Sequence, residues 1–372
     1  MLKTLRESWR SLRDRIFADP QFHRAVLANP LTRPFAQRRA RALLDLCAGF
    51  VYSQTLFACV ELRLFDILRD GPLSVAALSE KLSLDPQATR RLLEASSSLS
   101  LTQKRGEDGF GLGWLGAALL GSPGARAVIE HQPLLYGDLS DPVALLQGEH
   151  AAQLSRYWPY SVTEKPKDLA AEAVAPYSAL MAVSQPLWAQ EVLSVYSFEK
   201  HRRLLDVGGG EGAFLAEVAA RAPRLELMLF DLPAVAERAR SRLAAAGVAP
   251  RVQIYSGDFL RDPLPEGGDV ISLVRILHDH DDESALALLR NVRRALPVGG
   301  TLLVAEAITG VPGFEPLAAY YSFYTLAMGR GEPRSFEQIC ALFQRAGFSR
   351  GKLVPTLLPA MTSLIVARAI GA

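Results

Sequence analysis

Nine residues decide the fold, and they read Leu204-Leu205-Asp206-Val207-Gly208-Gly209-Gly210-Glu211-Gly212. An apolar run ends at an acidic residue and a glycine cluster, and a helical pattern begins at Ala213. Because glycine has no Cβ, a ligand can approach the backbone of such a turn closely. The stretch therefore predicts a strand, a ligand-binding turn and a helix, which together form the first unit of a doubly wound α/β sheet.

The same alternation of strand and helix patterns continues to the C-terminus. The predicted strands are Leu204–Val207, Leu227–Phe230, Val252–Tyr255, Val270–Leu277, Thr301–Ala305 and Leu364–Ala367. Apolar strands alternating with helices are typical of a parallel sheet that is covered on both faces. We therefore expect a Rossmann-like α/β domain over residues 201–372.

The segment before this domain, residues 41–200, is predicted to be mainly helical. Ser74 and Asp85 are candidate N-caps of two successive helices, and the apolar residues around Gly106–Gly109 predict a β-hairpin. Helix, turn, helix and hairpin form a winged-helix arrangement. Upstream of it, apolar residues crowd all sides of Leu43–Val60, which predicts a helix buried between domains or in a dimer interface.

A winged helix raises the alternative of a DNA-binding regulator. The second predicted helix offers Arg90 and Arg91, but Asp85 and Glu94 offset their charge. Since the region is not a basic stripe, we expect it to contact protein rather than nucleic acid.

Residues 1–40 form a basic arm that differs from the rest of the chain. Residues 1–41 contain ten Lys and Arg and three acidic residues, a net charge of +7, whereas the remainder carries −5. Apolar side chains are spaced by three or four along the arm: Leu2, Leu5, Trp9, Leu12, Ile16 and Phe17. This basic amphipathic pattern is compatible with docking on the same chain, docking on a second copy, or peripheral contact with an anionic membrane.

Composition excludes several protein classes. The chain has 372 residues, 41 Lys and Arg, 39 Asp and Glu, and 49% hydrophobic residues, which indicates a folded protein of roughly two domains. Its three cysteines are too few for a disulfide framework or a thiolate metal site, which fits a cytoplasmic protein without a metal. Charged residues interrupt the N-terminus, so we expect no secretory leader. The uncharged stretch Leu46–Val60 is 15 residues long, short of the ~20 that span a bilayer.

Acidic residues around the glycine turn indicate which ligand it binds. Asp231 follows the second strand, where a carboxylate can accept ribose hydroxyls, and Asp258 follows the third, where it can meet an adenine amino group beside Phe259. The NAD fingerprint G-x-G-x-x-G is absent, because the glycines at Gly208 and Gly210 are followed by one at residue 212. Asp206 suits a cationic or zwitterionic ligand better than a diphosphate. S-adenosylmethionine, with its amino acid and sulfonium groups, meets these requirements and is the predicted ligand.

An acid-base candidate follows the fourth strand, in Arg275-Ile276-Leu277-His278-Asp279-His280-Asp281-Asp282. A histidine beside a methyl donor can serve as general base for a hydroxyl, since its pKa of about 6.5 suits proton removal near neutral pH. Two other interpretations of His278 stay open on spacing alone, namely a metal ligand and a capping or core histidine. Asp281 or Asp282 is expected to cap the helix that follows.

These motifs together resemble the dimeric small-molecule O-methyltransferases, a family that includes the plant caffeate-type enzymes. The resemblance runs from about residue 40 to the C-terminus. It rests on the glycine turn and on four further blocks: Asp231-Leu232-Pro233, Gly257-Asp258-Phe259, Leu277-His278-Asp279-x-Asp281-Asp282 and Arg334-Ser335-x-x-x-Ile339. It implies a class I methyltransferase fold, a winged-helix dimerisation domain, a homodimer and S-adenosylmethionine as cofactor.

The resemblance also implies roles for individual residues. His278 is the expected catalytic base, and Glu306 is expected to orient its imidazole. Pro333 occupies the position of a second family glutamate, which leaves Glu332 as the candidate replacement. The implied cofactor contacts are Asp206, Gly208, Gly210, Asp231, Leu232, Asp258 and Phe259, together with Arg275 in place of a family lysine.

Within the family, three features resemble the members that methylate acyclic carotenoids of the hydroxyneurosporene type in purple phototrophic bacteria. These features are the basic arm, the amino-acid sequence of residues 42–64, and the segment Leu273–His280. An aromatic stretch at Leu317–Met328, with Trp158, Trp188 and Met181, is a candidate wall of a long apolar substrate slot. Carbon methylation of a bacteriochlorophyll-type tetrapyrrole, or methylation of another apolar hydroxylated metabolite, remains the alternative enzyme activity.

Overall fold

The structure, a computed structural model, describes residues 2–149, 152–161 and 163–371. It divides into two compact units, Met1–Leu120 and Gly121–Ala372. The sequence placed the domain boundary near residue 200 instead. The difference arises because the helical segment after Gly121 packs with the sheet-bearing unit, as the contact of Val192 and Ala189 with its core shows.

The N-terminal unit is mostly helical and carries one small sheet. Its helices are α1 (Leu2–Ala18), α2 (Pro20–Ala28), α3 (Arg33–Glu61), α4 (Leu64–Ile67), α5 (Val75–Leu82), α6 (Pro86–Ser98) and α7 (Trp114–Leu120). Its strands are β1 (Leu73–Ser74), β2 (Thr102–Arg105) and β3 (Gly109–Leu112), in the order β1-β3-β2. Residues 2–40 of the basic arm span α1, α2 and the first part of α3, and its amphipathic pattern lies on α1. The side chains of Leu2 and Leu5 lie outside the described residues.

The winged-helix prediction is confirmed within this unit. Ser74 caps α5 by accepting a hydrogen bond from the Ala77 amide, and Asp85 caps α6 through the amides of Gln87 and Ala88. Strands β2 and β3 pair antiparallel as the predicted hairpin. Local capping and turn residues thus account for the winged helix.

Helix α3 is largely exposed within the single chain. Thr55, Cys59 and Val60 are its buried residues, while Leu43, Leu46 and other large apolar side chains are open to solvent. By length and composition, α3 is the one helix among the described residues that could cross a membrane. The helix begins before and ends after the uncharged stretch Leu46–Val60 that the sequence shows.

The C-terminal unit is an α/β domain preceded by a helical segment. Its helices are α8 (Pro123–Asp138), α9 (Pro142–Gln147), α10 (Gln153–Tyr157), α11 (Ala171–Val195), α12 (Ala213–Arg221), α13 (Pro233–Ala245), α14 (Asp282–Ala295), α15 (Glu315–Met328) and α16 (Phe336–Arg345). Its strands are β4 (Arg203–Val207), β5 (Glu226–Asp231), β6 (Val252–Ser256), β7 (Val270–Val274), β8 (Thr301–Glu306), β9 (Lys352–Val354) and β10 (Ser363–Arg368).

The seven strands form one mixed sheet in the order β6-β5-β4-β7-β8-β10-β9. Strands β4 to β8 are parallel, as predicted, but β10 runs antiparallel to both β8 and β9. The expectation of a wholly parallel sheet was therefore wrong at this edge. No helix separates β9 from β10, so the pair forms without the crossover that parallel pairing needs.

Helices cover both faces of the sheet. One core contains Leu286 and Leu289 of α14 with Phe343 of α16, and the opposite core contains Phe214 of α12 and Leu243 of α13. Because both faces are buried, the functional side chains can emerge only at the sheet edges. The carboxyl ends of the parallel strands form the edge described next.

Candidate active site

A cavity of about 600 Å³ opens at the carboxyl ends of the parallel strands. All of the predicted cofactor residues except Asp206 line it, and their lining members are Gly208, Gly210, Asp231, Leu232, Asp258, Phe259 and Arg275. The structure thus brings together residues that are up to 67 positions apart between Gly208 and Arg275. Parallel strands in register place their ends at one edge, which explains the convergence.

Asp206 lies beneath this cavity rather than in its wall. It is buried near the end of β4, and the Ser272 hydroxyl of β7 donates a hydrogen bond of 2.6 Å to its Oδ1. Burial raises the pKa of Asp206 to about 7, and the nearby charge of Asp231 adds to the effect. A cationic ligand above it would favour the ionised carboxylate.

Asp231 joins the glycine turn to the second strand. Its Oδ2 accepts the amide of Gly210 at 2.7 Å, and its Oδ1 accepts the amide of Leu232 at 2.7 Å. Gly210 reaches this contact with φ +58°, in the left-handed region that favours glycine. Burial raises the pKa of Asp231 to about 6 although both hydrogen bonds favour its charged form.

Asp258 closes the third side of the cavity. Its Oδ1 accepts the Leu260 amide at 2.9 Å, while its own amide donates to Asp262 at 2.7 Å. The neighbouring Phe259 ring packs against the core and lies 5.5 Å, edge to face, from the ring of His280. An apolar ring and a buried carboxylate are therefore presented side by side.

Arg275 is held by the helical segment α11 at the cavity wall. Its guanidinium donates to Ser184 Oγ at 3.1 Å and Gln185 Oε1 at 3.2 Å, and it lies 4.0 Å above the Trp188 ring. Its φ is +62°, which ends β7 at Val274, three residues before the predicted end of that strand. The backbone then turns into a short 3₁₀ segment, Leu277–Asp279.

His278 lies in that 3₁₀ turn and is anchored by Glu306, the last residue of β8. The Nδ1–H of His278 donates to Glu306 Oε2, since a carboxylate can only accept. The other oxygen of Glu306 accepts the amides of Ile276 at 2.8 Å and Leu277 at 2.7 Å. The predicted pairing of these two residues is present in the structure.

Asp279 places a second carboxylate against the imidazole. Its Oδ1 lies 3.2 Å from His278 Nε2, is buried and makes no hydrogen bond. Burial by itself would lower the pKa of His278, but the charges of Glu306 and Asp279 outweigh it and raise that pKa to about 9. Sequence reasoning did not assign Asp279 a role, because only the tight turn brings its side chain back onto its neighbour.

Glu332 contacts the turn that carries His278 through its backbone. Its amide donates a hydrogen bond to the His278 carbonyl at 2.9 Å, whereas the residue as a whole is exposed to solvent. Nearby, Asp281 caps α14 by accepting the Ser284 amide at 2.8 Å, which confirms one of the two predicted caps. Within the described parts of the chain, no group of three His, Cys, Asp or Glu residues is arranged to hold a metal ion.

An aromatic cluster of the helical segment adjoins the cavity. Trp158 is buried with Tyr160, Tyr177 and residues of α15, and Trp158, Tyr160, Tyr177 and Met181 also line the cavity. The predicted aromatic stretch at Leu317–Met328 thus packs next to these lining residues. Trp188, by contrast, packs on Arg275 and is not among the lining residues.

The fold and this site define a class I methyltransferase. Residues 136–349 match the O-methyltransferase domain and residues 44–122 match the O-methyltransferase dimerisation domain. The chain belongs to the O-methyltransferase family. The dimerisation-domain match includes most of α3 and supports a homodimer. A second copy of the chain is therefore the candidate to cover the exposed apolar side chains of that helix.

Three known proteins illustrate the relationship. Demethylspheroidene O-methyltransferase of Cereibacter sphaeroides is 45% identical, covering 91% of this chain and 89% of its own. The protein of the same name from Rhodobacter capsulatus is 39% identical, covering 95% of this chain and 88% of its own. The crystal structure of human N-acetylserotonin methyltransferase in complex with S-adenosylmethionine is 25% identical, with a TM-score of 0.72 and coverage of 90% of this chain and 98% of that one.

Replacing Glu306 by Gln should lower the pKa of His278 from about 9 to below its ordinary value of 6.5, because burial then dominates. A raised histidine pKa stabilises the fold below pH 6.5, and this contribution disappears as the pH rises through 9. NMR titration of the imidazole would measure the change. Glu337→Gln, on the exposed side of α16, is the matched control, and an unaltered His278 pKa in E306Q would contradict the assignment.

Proposed function

We propose that this protein is an S-adenosylmethionine-dependent O-methyltransferase that methylates the hydroxyl of an acyclic carotenoid of the demethylspheroidene type. The observation that carries the proposal is the Glu306-anchored His278 turn at the same sheet edge as the acid-lined cavity. The names of the two carotenoid-enzyme relatives support the substrate class.

The residues of the cavity fit S-adenosylmethionine. Asp231 and Asp258 are buried carboxylates that line the cavity, and Asp206 is a third buried carboxylate near the end of β4. This acidic set matches a ligand that carries a sulfonium and an amino group. Gly208 and Gly210 leave the backbone accessible at the cavity wall. When bound, S-adenosylmethionine supplies an activated methyl group, and this chemistry requires no metal.

His278 performs the proton transfer in this proposal. Glu306 holds Nδ1, so Nε2, which lies 3.2 Å from Asp279 Oδ1, is the atom that accepts the proton of the substrate hydroxyl once the imidazole is neutral. An aliphatic alcohol is a very weak acid, so proton removal accompanies or follows attack by its oxygen. Most of the rate acceleration then comes from alignment of the reacting groups, which a fixed imidazole supports.

The walls next to the cavity favour an apolar substrate. Trp158 is 4% exposed, and the rings of Tyr160 and Tyr177 lie 6.2 and 6.3 Å from its ring. Closely packed aromatic rings provide an apolar surface that suits a conjugated chain. The aromatic cluster therefore supports a polyene over a highly charged metabolite.

The experiment that tests this function is incubation of the protein with S-adenosylmethionine and a panel of hydroxylated carotenoids. Mass spectrometry and NMR should detect a new methoxy group on an acyclic carotenoid. A new carbon-bound methyl on a tetrapyrrole, or methylation of a different hydroxylated metabolite only, would refute the carotenoid assignment. Specific duplex DNA binding without any methyl transfer would instead indicate a regulator.

Replacing His278 by Ala should lower turnover by about 10²–10⁴-fold, because the hydroxyl proton loses its acceptor. Binding of S-adenosylmethionine, measured by calorimetry, should change little, since His278 does not line the acid-rich cavity. Turnover equal to that of the unmodified protein would remove His278 as the base. A parallel loss of cofactor binding would show a damaged site rather than a missing base.

Binding of S-adenosylmethionine should weaken as the pH falls from 8 to 5.5. Asp206 and Asp231, with pKa values raised to about 7 and about 6, become protonated over this interval and lose the charge that attracts a cationic ligand. Calorimetry across this range measures the effect. In D206N the part of the pH dependence near 7 should disappear, and an equally steep dependence in that variant would contradict the role of Asp206.

We also propose that the arm places the enzyme on the cytoplasmic membrane, where a polyene substrate would reside. Trp9, Leu12 and Ile16 of α1 are 72%, 50% and 41% exposed and spaced for one helix face. Arg6 and Arg10 on the same helix are also exposed, within a segment of net charge +7. Apolar and cationic side chains on one helix match an anionic lipid surface.

Changing Arg6, Arg10 and Arg13 together to Gln should weaken binding to vesicles containing anionic lipid by about a hundredfold, since each basic residue contributes about 1 kcal/mol. Sedimentation with anionic and neutral vesicles measures this. The matched control changes three exposed arginines of the catalytic domain to Gln: Arg221, Arg224 and Arg290. Equal binding by both variants would refute the proposal, and loss of the dimer in the arm variant would assign the arm to the partner subunit.

A further inference from the structure

The backbone of the turn that carries His278 is hydrogen-bonded by two side chains of opposite charge. The Glu306 carboxylate accepts the amides of Ile276 and Leu277, as described above. The Arg334 guanidinium donates to the carbonyls of Leu277 and His280, each at 2.7 Å. An anion thus satisfies the donors of the turn and a cation satisfies its acceptors.

Arg334 is buried and uses all three of its nitrogens. It is 2% exposed, and its Nε donates to Asp282 Oδ1 at 2.8 Å in addition to the two carbonyl contacts. A planar guanidinium fixes the directions of these bonds, whereas a lysine ammonium could not reproduce the fork. The two carbonyls that it binds belong to the residues directly before His278 and two positions after it.

The main chain around Arg334 is fixed to the strand that ends at Glu306. The Thr309 amide donates to the Arg334 carbonyl at 2.9 Å, three residues after Glu306. Ser335 then starts α16 with a capping box that it forms with Gln338. The two charged groups that grip the turn are therefore held in one rigid frame.

The residues just before Arg334 are also shaped to the turn. Glu332 donates its amide to the His278 carbonyl, so segment 331–334 contacts the carbonyls of Leu277, His278 and His280. Gly331 adopts φ +94°, and a Cβ at this position would collide with the His278 carbonyl. The lack of a Cβ at Gly331 thus allows this segment to approach the turn closely.

A buried guanidinium is costly unless its hydrogen bonds are complete. Here its one carboxylate partner among the described residues, Asp282, is 61% exposed at the side chain. Two short contacts go to the carbonyls of the His278 turn, and a longer one of 3.4 Å goes to the Glu332 carbonyl. Helix α16 packs on the core through the apolar side chains of Ile339 and Phe343, and this packing does not require the charge of Arg334. The placement of Arg334 is accounted for by what it does to the turn.

We infer that Arg334 is a positioning residue for methyl transfer, which sets the direction of the His278 imidazole by fixing the carbonyls on both sides of it. The inference rests on the proposed function, in which His278 accepts the substrate proton. Displacement of a reacting group by about 1 Å can cost about 10²-fold in rate. The position of the imidazole relative to the cavity therefore depends on Arg334 although Arg334 does not line it.

Replacing Arg334 by Lys should lower kcat by about 10²-fold, because the charge stays while the two-carbonyl fork is lost. The KM for S-adenosylmethionine and the thermal midpoint should change little in comparison. Arg350→Lys is the matched control, since Arg350 is an exposed arginine with a paired contact to Glu337 on α16. That control should retain the kcat of the unmodified protein.

Two further measurements separate positioning from general stability. Added guanidinium ion should restore part of the kcat of Arg334→Ala, since the free ion can occupy the space of the missing fork. NMR titration of His278, which needs no substrate, should show a lower pKa in Arg334→Lys than in the unmodified protein, because its contact with Glu306 loosens. The groups that face this imidazole, Glu306, Asp279 and Arg275, are unchanged in that variant.

Two results would overturn the inference: an undiminished kcat in Arg334→Lys, or a loss of kcat matched by equal losses of cofactor affinity and thermal midpoint. If Arg334→Ala does not fold, Asp282→Asn is tested instead. The kcat of Asp282→Asn should fall, but by less than that of Arg334→Lys. The pKa of His278 should change in the same direction in both variants. A wild-type protein that methylates no hydroxycarotenoid would refute the proposed function alone, since the His278 titration still reports on Arg334.

Discussion

The site depends on one buried carboxylate, that of Glu306 at the end of β8. It accepts hydrogen bonds from two backbone amides of the turn after β7 and from Nδ1 of His278. Without it, the turn would bury unsatisfied donors, each at a cost of about 1–3 kcal/mol, and the imidazole would lose its orientation. The parallel pairing of β7 with β8, from Val270 with Thr301 to Val274 with Ala305, delivers the carboxylate to the turn. Catalytic geometry is thus a consequence of strand register.

Around this contact the edge of the sheet divides into two electrostatic zones. On the β4–β6 side, Asp206, Asp231 and Asp258 are buried, and burial raises the pKa values of Asp206 and Asp231. On the β7–β8 side, His278 lies between two carboxylates and its pKa is raised as well. A positively charged ligand placed between these zones would favour ionised acids and a neutral imidazole at once.

The remaining parts of the chain present apolar and basic surfaces. The aromatic cluster of Trp158, Tyr160 and Tyr177 adds apolar walls beside the acid-lined cavity. The N-terminal unit contributes an exposed apolar helix, α3, within the matched dimerisation domain, and a basic arm, α1, before it. Exposed apolar surface of this extent on a single chain indicates surfaces that other molecules cover.

The sequence alone determined the elements that depend on local patterns. Strand ends marked by Asp206, Asp231 and the turn at His278 were found because apolar strands followed by polar residues converge at one edge of a parallel sheet. The role of Glu306 came from family resemblance, since nothing in its local sequence distinguishes it from an ordinary strand end. The winged helix likewise followed from caps at Ser74 and Asp85, whose effect reaches only a few residues.

Only the tertiary structure decided the contacts that join distant segments. The antiparallel partner of β10, Lys352–Val354, is too short to show a pattern, and its pairing is set by the neighbouring strand. Asp279 meets the imidazole because the 3₁₀ turn folds it back. Arg334 reaches the carbonyls of a turn more than 50 residues away. Such contacts have no periodicity in the chain, because they depend on how strands and loops pack in three dimensions.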